Sequence, residues 1–308
     1  MADEDDLGFT PDEIGEWSER KIEIVREYAK PFSQIISKNG LTALYVDGLA
    51  GGGEARRKRP RTAPDSATLP LTIDGTPLSA GAETILTTAA RIVSEVTPRF
   101  AKYIFIDADR QKTLAMQHRC SELPDINVDV INSDVSQTFL ARVIPEIRAS
   151  RKNRALCFLD PYGMHISWNV FQALGATGHA EVFINFPTLD IVRNVLRDSP
   201  SLIEPQHAER MNLLWGDDFW RQVAFKKQPG LFDAVFEKQS GDHIAMAFQE
   251  RLIHHGGFKF VSKPLPFKNK QNGLLYHLLF ATQKKVALKI ANAVMKKWAR
   301  PIRRGLNG

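Results

Sequence analysis

Cysteine is scarce in this chain of 308 residues, which has 2, Cys120 and Cys157. Two cysteines exclude a disulfide framework, and neither stands in a C-x-x-C or Cys/His array with zinc-ligand spacing, so no structural metal is expected. Long hydrophobic runs are missing as well. Apolar stretches such as Leu274 to Ala281 fall far short of the roughly 20 residues that a membrane-crossing helix needs. A basic leader followed by an apolar segment is absent too. Met1 precedes the acidic stretch Asp3 to Asp6, so no secretory signal is readable and a cytoplasmic location is expected.

Acid is missing from the far end, where no Asp or Glu follows Glu250. Basic residues accumulate there without counterweight, from Arg251 through Lys284, Lys285, Lys289, Lys296 and Lys297 to Arg304. A second basic cluster spans Arg56, Arg57, Lys58, Arg59 and Arg61. The formal net charge of +6 is modest, but its segregation suits phosphate neutralisation and counterion release, which points to a nucleic-acid partner. Solvated basic faces with no ligand remain an equal alternative.

What is present is an alternation of strand and helix signals, which predicts helices on both faces of a mostly parallel sheet. Trp17 to Ser37 reads as an amphipathic cover helix, with Ile24, Tyr28, Phe32 and Ile35 at spacings of three and four. Strands are expected at Leu41 to Asp47, Tyr103 to Asp107, Val128 to Asn132, Ala155 to Asp160 and Glu181 to Phe186. Helices are expected at Ala82 to Glu95, Gln111 to Ser121 and Gln137 to Ser150, with Glu54 to Asp74 a polar, basic loop. Leu189 to His255 carries no strand signal and reads as a helical insertion, with helices near Asp190 to Arg197, Glu204 to Leu214 and Ile244 to His255. Phe258 to Pro264 and Leu274 to Thr282 predict a closing antiparallel hairpin across Asn269 to Gly273, and Lys284 to Trp298 a basic amphipathic helix.

The chemistry concentrates at Asp47-Gly48-Leu49-Ala50-Gly51-Gly52-Gly53, where small residues let the backbone turn and approach a ligand closely. A phosphate-cradling P-loop fails, because Gly53 is followed by Glu54 and Ala55 rather than Lys and Ser or Thr. A dinucleotide fingerprint starting at Gly51 needs a small residue where Arg56 stands, with a helix starting directly there. A plain glycine turn leaving a strand is the remaining structural alternative. The segment resembles the D-x-x-A-G-x-G first motif of class I methyltransferases. That resemblance assigns Asp47 to the amino group of the methionine moiety of S-adenosylmethionine, with Gly48, Ala50, Gly51 and Gly53 making room for the cofactor.

Other strand ends follow in a compatible order. Asp107 ends the second strand, where a carboxylate can accept from both ribose hydroxyls, with Asp109 as its alternative. Asp134 follows the third strand, where it can accept from the adenine amino group. Each alone is more often a helix cap or turn residue. After the fourth strand, Asp160-Pro161-Tyr162 resembles the D-P-P-Y motif of methyltransferases acting on amino groups of adenine or cytosine, with Tyr162 at the usual second-proline position. The resemblance implies that Asp160 and the Pro161 carbonyl accept the hydrogens of an exocyclic amine while Tyr162 stacks on an extruded base. A Pro-Gly turn with a core tyrosine is the alternative. The histidines show no metal or triad spacing, G-x-S-x-G is absent, and Cys157 lies within an apolar strand.

Together with Trp17 to Tyr28, Gly75-Thr76-Pro77-Leu78 and Tyr276-His277-Leu278-Leu279-Phe280-Ala281, these pieces resemble the three-Cys-motif partner family over Trp17 to Thr282. The resemblance implies a Rossmann-like class I methyltransferase fold, α/β with a mostly parallel sheet, a C-terminal antiparallel hairpin and a helical insertion. It also implies S-adenosylmethionine as cofactor, no metal, and partnership with a separate three-Cys-motif protein. The division expected is a cover helix in 1–40, a methyltransferase domain over 41–283 with basic loop 54–74 and insertion 189–255, and a basic helix and tail over 284–308. Two functions stand side by side, methyl transfer to a nucleic-acid amine and a non-catalytic subunit acting through its partner. A third, weaker one lays the terminal helix, with Ile290, Val294, Met295 and Trp298, on an anionic membrane surface.

Overall fold

The computed structural model describes residues 9–57, 72–73, 76–77, 83–161, 163–229, 235–269 and 271–299. The chain begins with β1 (Asp12–Ile14), α1 (Glu16–Lys38), β2 (Thr42–Asp47) and β3 (Glu54–Arg57). After the short pair β4 (Thr72–Ile73) and β5 (Thr76–Pro77) come β6 (Thr84–Leu86), α2 (Thr88–Glu95), β7 (Lys102–Asp107), α3 (Arg110–Ser121) and β8 (Val128–Asn132). A helix starting as α4 (Val135–Thr138) passes through a wide turn into α5 (Ile144–Arg148). There follow β9 (Asn153–Leu159), α6 (Trp168–Thr177), β10 (Ala180–Phe186), α7 (Thr188–Asp190), α8 (Pro205–Trp215) and α9 (Trp220–Ala224). The chain closes with β11 (Phe225–Gln228), β12 (Val235–Lys238), α10 (Gly241–His254), β13 (Phe260–Val261), β14 (Leu265–Lys268), β15 (Leu274–Thr282) and α11 (Lys285–Ala299).

The main sheet runs β13-β15-β10-β9-β2-β7-β8, with β14 paired to β15. Five central strands are parallel and β15 enters antiparallel beside β10. This is the expected Rossmann-like arrangement, α/β with a mostly parallel sheet and a C-terminal antiparallel strand. The chain order reverses on either side of β2, which opens a crevice at the carboxyl ends of the strands.

Strand alternation sorts the core into two layers. Leu44 and Val46, Ile104 and Ile106, Cys157 and Leu159, and Val182 and Ile184 face α5, α6, α8 and α10. Ala43 and Tyr45, Tyr103 and Phe105, Leu156 and Phe158, and Phe183 face α1, α2, α3 and α11. By the same period of two, Asp47, Asp107 and Asn185 belong to the α1 face. Asp160, just past β9, continues the parity of Phe158.

Several expectations need correction. Glu54 to Arg57 is a strand, parallel to β1 and antiparallel to β6, rather than the start of a loop. Its polar sequence gives a weak strand signal, and the pairing is supplied by flanking strands around buried Ala55 and Ile14. Lys58, Arg59 and Arg61 lie outside the described residues. The helix expected from Ala82 starts at Thr88, because Thr84–Leu86 pairs with β3; Ala82 itself is outside the described residues. The insertion holds a hairpin, β11 with β12, braced by Phe225 against Phe236 with ring centroids 6.5 Å apart. Lysines at 226 and 227 masked its alternation. Sequence reading also omitted α6, although a parallel crossover from β9 to β10 requires such an element. The closing hairpin forms between β14 and β15, while the separate two-residue β13 pairs with the far end of β15. The terminal helix α11 packs Ala287, Ala291 and Met295 into the α1-side core, with Ile290, Val294 and Trp298 against it, so its apolar stripe is spent on the sheet. No helix among the described residues is long and apolar enough to cross a membrane.

Phe248 of α10 joins insertion to sheet. Its ring meets Trp168, Phe171, Phe186 and Trp215 at centroid distances of 6.0, 5.6, 4.7 and 5.6 Å. Phe248→Ala leaves a cavity at that junction and should cost about 3 to 5 kcal/mol. Urea titration should show a lower midpoint with one unfolding transition in both proteins, since insertion and sheet share a core.

Candidate functional site

The crevice at the strand ends is a cavity of about 360 Å³, within the range of small-ligand sites. Its floor is acidic. Asp47 ends β2 at 1% exposure, where its Oδ1 accepts from Leu49 N at 3.3 Å and its Oδ2 from the Tyr45 hydroxyl at 3.1 Å. Burial, with Asp160 and Asp107 adding repulsion, pushes its carboxyl up to about 7 against the opposing pull of those two hydrogen bonds.

The glycine loop is fastened on three sides. Gly48 N donates to Phe158 O at 2.9 Å, Ala50 N to Ile106 O at 3.0 Å, and Gly51 N to Asp107 Oδ2 at 3.0 Å. Thr87 ties it from above, its hydroxyl donating to Ala50 O at 3.3 Å and its N–H to Gly53 O at 2.9 Å. Ala50 and Gly51 line the cavity, with Gly51 at φ +66° and a Cβ there meeting only Thr87 Cγ2 at 3.8 Å, an ordinary contact. Gly48 and Gly53 do not line it. A Cβ at Gly48 would meet Leu159 at 2.7 Å, so that glycine serves sheet-to-helix packing, and Gly53, at φ +93°, makes room for Arg119.

Asp107 lines the cavity, and its Oδ1 also accepts from Asp109 N at 2.9 Å. A carboxylate has about four acceptor positions, so two stay available beyond those taken by Gly51 N and Asp109 N. Asp109 is the N-cap of α3, accepting from Gln111 N at 2.8 Å. Asp134 is exposed, caps α4 through Gln137 N at 2.8 Å and is not part of the cavity wall. For Asp109 and Asp134 the capping alternative therefore describes what their side chains do.

Asp160 and Pro161 stand at the far side of the cavity; Tyr162 lies outside the described residues. Asp160 is engaged twice, by Lys21 Nζ at 2.5 Å on Oδ2 and by Asn185 Nδ2 at 2.6 Å on Oδ1. The Lys21 ammonium also sits 4.9 Å from the Tyr276 ring centroid, and the Tyr276 hydroxyl donates to Trp17 O at 2.9 Å. Sequence reading missed Lys21, Asn185 and Tyr276 as site residues. Two signals were present. Lys21 falls on the apolar stripe of α1 with Ile24, Val25 and Tyr28, and Asn185 interrupts the otherwise apolar end of β10.

Other reactive groups are committed elsewhere. Burial pushes both thiols up, Cys120 to about 11, so neither is a nucleophile at neutral pH. His277 joins Thr188 Oγ1 and Asp242 Oδ1, each at 2.7 Å, with burial lowering its basicity against the pull of Asp242. Thr188 is fully buried, so this chain ties α7 and α10 to β15. No cluster of metal-ligating side chains occurs among the described residues. Of the basic loop, Arg57 is held by Glu19 at 2.7 Å and by Glu83, while Arg56 is exposed. On α11, Lys297 pairs with Glu27 at 2.6 Å, and Lys285, Lys289 and Lys296 are exposed.

No protein-family model and no curated protein matches the chain. Solved structures match the chain at low identity and low TM-score. A Legionella pneumophila protein of the family model DUF519 is 8% identical, with a TM-score of 0.40 over 91% of this chain and 93% of that one. Trm1 from Pyrococcus horikoshii, solved with S-adenosyl-L-methionine, is 9% identical, with a TM-score of 0.40 over 90% of this chain and 57% of that one. The CurJ carbon methyltransferase is 11% identical, with a TM-score of 0.34 over 83% of this chain and 54% of that one.

The raised Asp47 carboxyl has a measurable consequence. Its folded value near 7 exceeds its ordinary value of 3.8, so the stability it contributes is present below pH 3.8 and lost as pH rises through 7. Asp47→Asn should therefore be the more stable protein above pH 7, with the difference closing toward pH 4. Thermal unfolding of both ligand-free proteins over that range checks this. The comparison cancels Glu181, which burial pushes up to about 7 in both.

Proposed function

We propose that the chain is an S-adenosylmethionine-dependent methyltransferase acting on an exocyclic amino group of a nucleic-acid base. The observation that carries this is the gathering of Asp47, Asp107 and Asp160 around one cavity at the reversal point of the sheet, with Lys21 as the cation on Asp160. Such a floor is short of positive charge and favours a cationic ligand. Bound there, S-adenosylmethionine supplies an electrophilic methyl carbon on a positively charged sulfur. Asp47 would hold the ammonium of its methionine end, Asp107 the ribose hydroxyls, and the open backbone at Gly51 would allow close approach.

At the other end, Asp160 and the Pro161 carbonyl would accept hydrogen bonds from the target amine and orient its lone pair, and the Asp160 carboxylate would receive the proton it sheds. Each Asp160 oxygen keeps an acceptor position beyond those used by Lys21 and Asn185. Tyr162 is assigned to base stacking by its motif alone. Exposed Arg56 and the α11 lysines are proposed to meet phosphates, and the three-Cys-motif resemblance proposes a protein partner. One observation favours a second reading, a non-catalytic subunit. Both Asp160 oxygens are already engaged, as they would be in a site that never takes an amine.

Calorimetric titration with S-adenosylmethionine tests the cofactor half. Micromolar binding is expected, weakened about tenfold or more by Asp47→Ala. Asp160→Ala should stay within about threefold of wild type in binding while methyl transfer to nucleic acid falls about a hundredfold or more. Cofactor binding without turnover in the wild type would instead favour the non-catalytic reading. Cofactor affinity should also rise with pH through 7, because Asp47 must be charged to hold an ammonium.

A further inference from the structure

Asn185 has a polar atom that the fold leaves unused. It is the penultimate residue of β10, 7% exposed, and it lines the cavity with Lys21, Asp160 and Pro161. Which end of an amide faces which neighbour is decided by hydrogen bonding. A carboxylate paired with Lys21 only accepts, so the Asn185 NH₂ must face Asp160 Oδ1, 2.6 Å away, and the carbonyl must face elsewhere. That carbonyl oxygen, Oδ1, is buried and has no hydrogen-bond partner. A buried acceptor with no partner in the chain calls for one from outside it, an ordered water or a ligand group.

Building on the methyltransferase reading above, we propose that Asn185 Oδ1, in place of the Pro161 carbonyl, accepts one N–H of the target amine while Asp160 accepts the other. Lys21 supplies the complementary donor. Its ammonium has three N–H groups, of which one is committed to Asp160. Lys21 and Asn185 therefore contact the two oxygens of one carboxylate and both line the cavity, one carrying spare donors and the other a spare acceptor. The edge that matches them is an amidine, H₂N–C=N, in which an amino group adjoins an unprotonated ring nitrogen. Adenine and cytosine present that edge, and uracil does not. An amine-free substrate would leave Oδ1 orphaned, so Asn185 selects for the amine before chemistry begins.

The test uses the full chain saturated with S-adenosylhomocysteine and four probes: adenosine, cytidine, and their counterparts lacking the exocyclic amine, purine riboside and pyrimidin-2-one riboside. Affinities are read by ligand-observed NMR for wild type, Asn185→Ala and Asn185→Asp. Wild type should prefer at least one amine-bearing nucleoside over its counterpart by about tenfold or more, and Asn185→Ala should reduce that to about twofold or less. Asn185→Asp separates acceptance of the target from support of Asp160. Two adjacent carboxyls share a proton, so this variant keeps both an acceptor oxygen and a donor to Asp160, and the preference should survive. The proposal is overturned by equal affinity for amine-bearing and amine-free probes, by a preference unchanged in Asn185→Ala, or by binding of none of the four. It is also overturned if Asn185→Ala loses S-adenosylhomocysteine, since Asn185 would then serve the cofactor. A wild-type chain that binds no S-adenosylhomocysteine sinks the methyltransferase reading itself, and the nucleoside comparison is then still read on the ligand-free chain. Thermal unfolding of each variant identifies one that has failed to fold.

Discussion

Like charges gathered in a poorly solvated crevice repel one another, and the architecture around this cavity is organised by that cost. Asp47, Asp107 and Asp160 are brought to one side of the sheet by parallel strands that end at the same level. Asp47 shows the consequence most directly, with burial and two neighbouring carboxylates holding its carboxyl near neutrality. Lys21 meets the charge of Asp160 at 2.5 Å. The remaining demand for positive charge faces the cavity, where a cationic ligand can satisfy it.

That demand explains why the first helix is part of the site and more than a cover. Long lysine side chains can lay an apolar stem along a core while the ammonium reaches a polar partner. Lys21 does this from the buried stripe of α1, below the ring of Tyr276. The small sheet of β1, β3 and β6 continues the same wall, with Lys112 of α3 reaching Asp12 at 2.6 Å at the rim. On the opposite side the insertion holds the end of β10 in place. Phe186 packs on Phe248, and Thr188 is tied through His277 to Asp242. Asn185 immediately precedes these anchors, and its hydrogen bond to Asp160 sets the direction of its amide.

Much of the fold was legible because parallel strands write themselves plainly. Buried runs such as Tyr45-Val46 and Cys157-Phe158-Leu159 are apolar on both faces, and turn residues punctuate them. Elements whose pairing comes from distant segments were not legible. Glu54-Ala55-Arg56-Arg57 becomes a strand only because β1 and β6 offer it edges, and Phe225-Lys226-Lys227-Gln228 because Phe236 returns to meet it.

By itself, the sequence determined the order of the acidic strand ends, Asp47, Asp107 and Asp160, since strand, turn and carboxylate follow one another locally. Within each strand the period of two groups Asp47 with Tyr45 and Asp107 with Phe105, and the pairing of the strands in the sheet put these on one face with Asn185. The tertiary structure decided which polar groups meet. Lys21 and Asn185 stand 139 and 25 residues from Asp160 in the chain, and nothing local to any of the three announces the contact. It likewise decided that Gly48 meets Leu159 and that Gly53 makes room for Arg119. A side chain's role depends on which hydrogen-bond donors and how much solvent surround it, and those are set by elements far away in sequence.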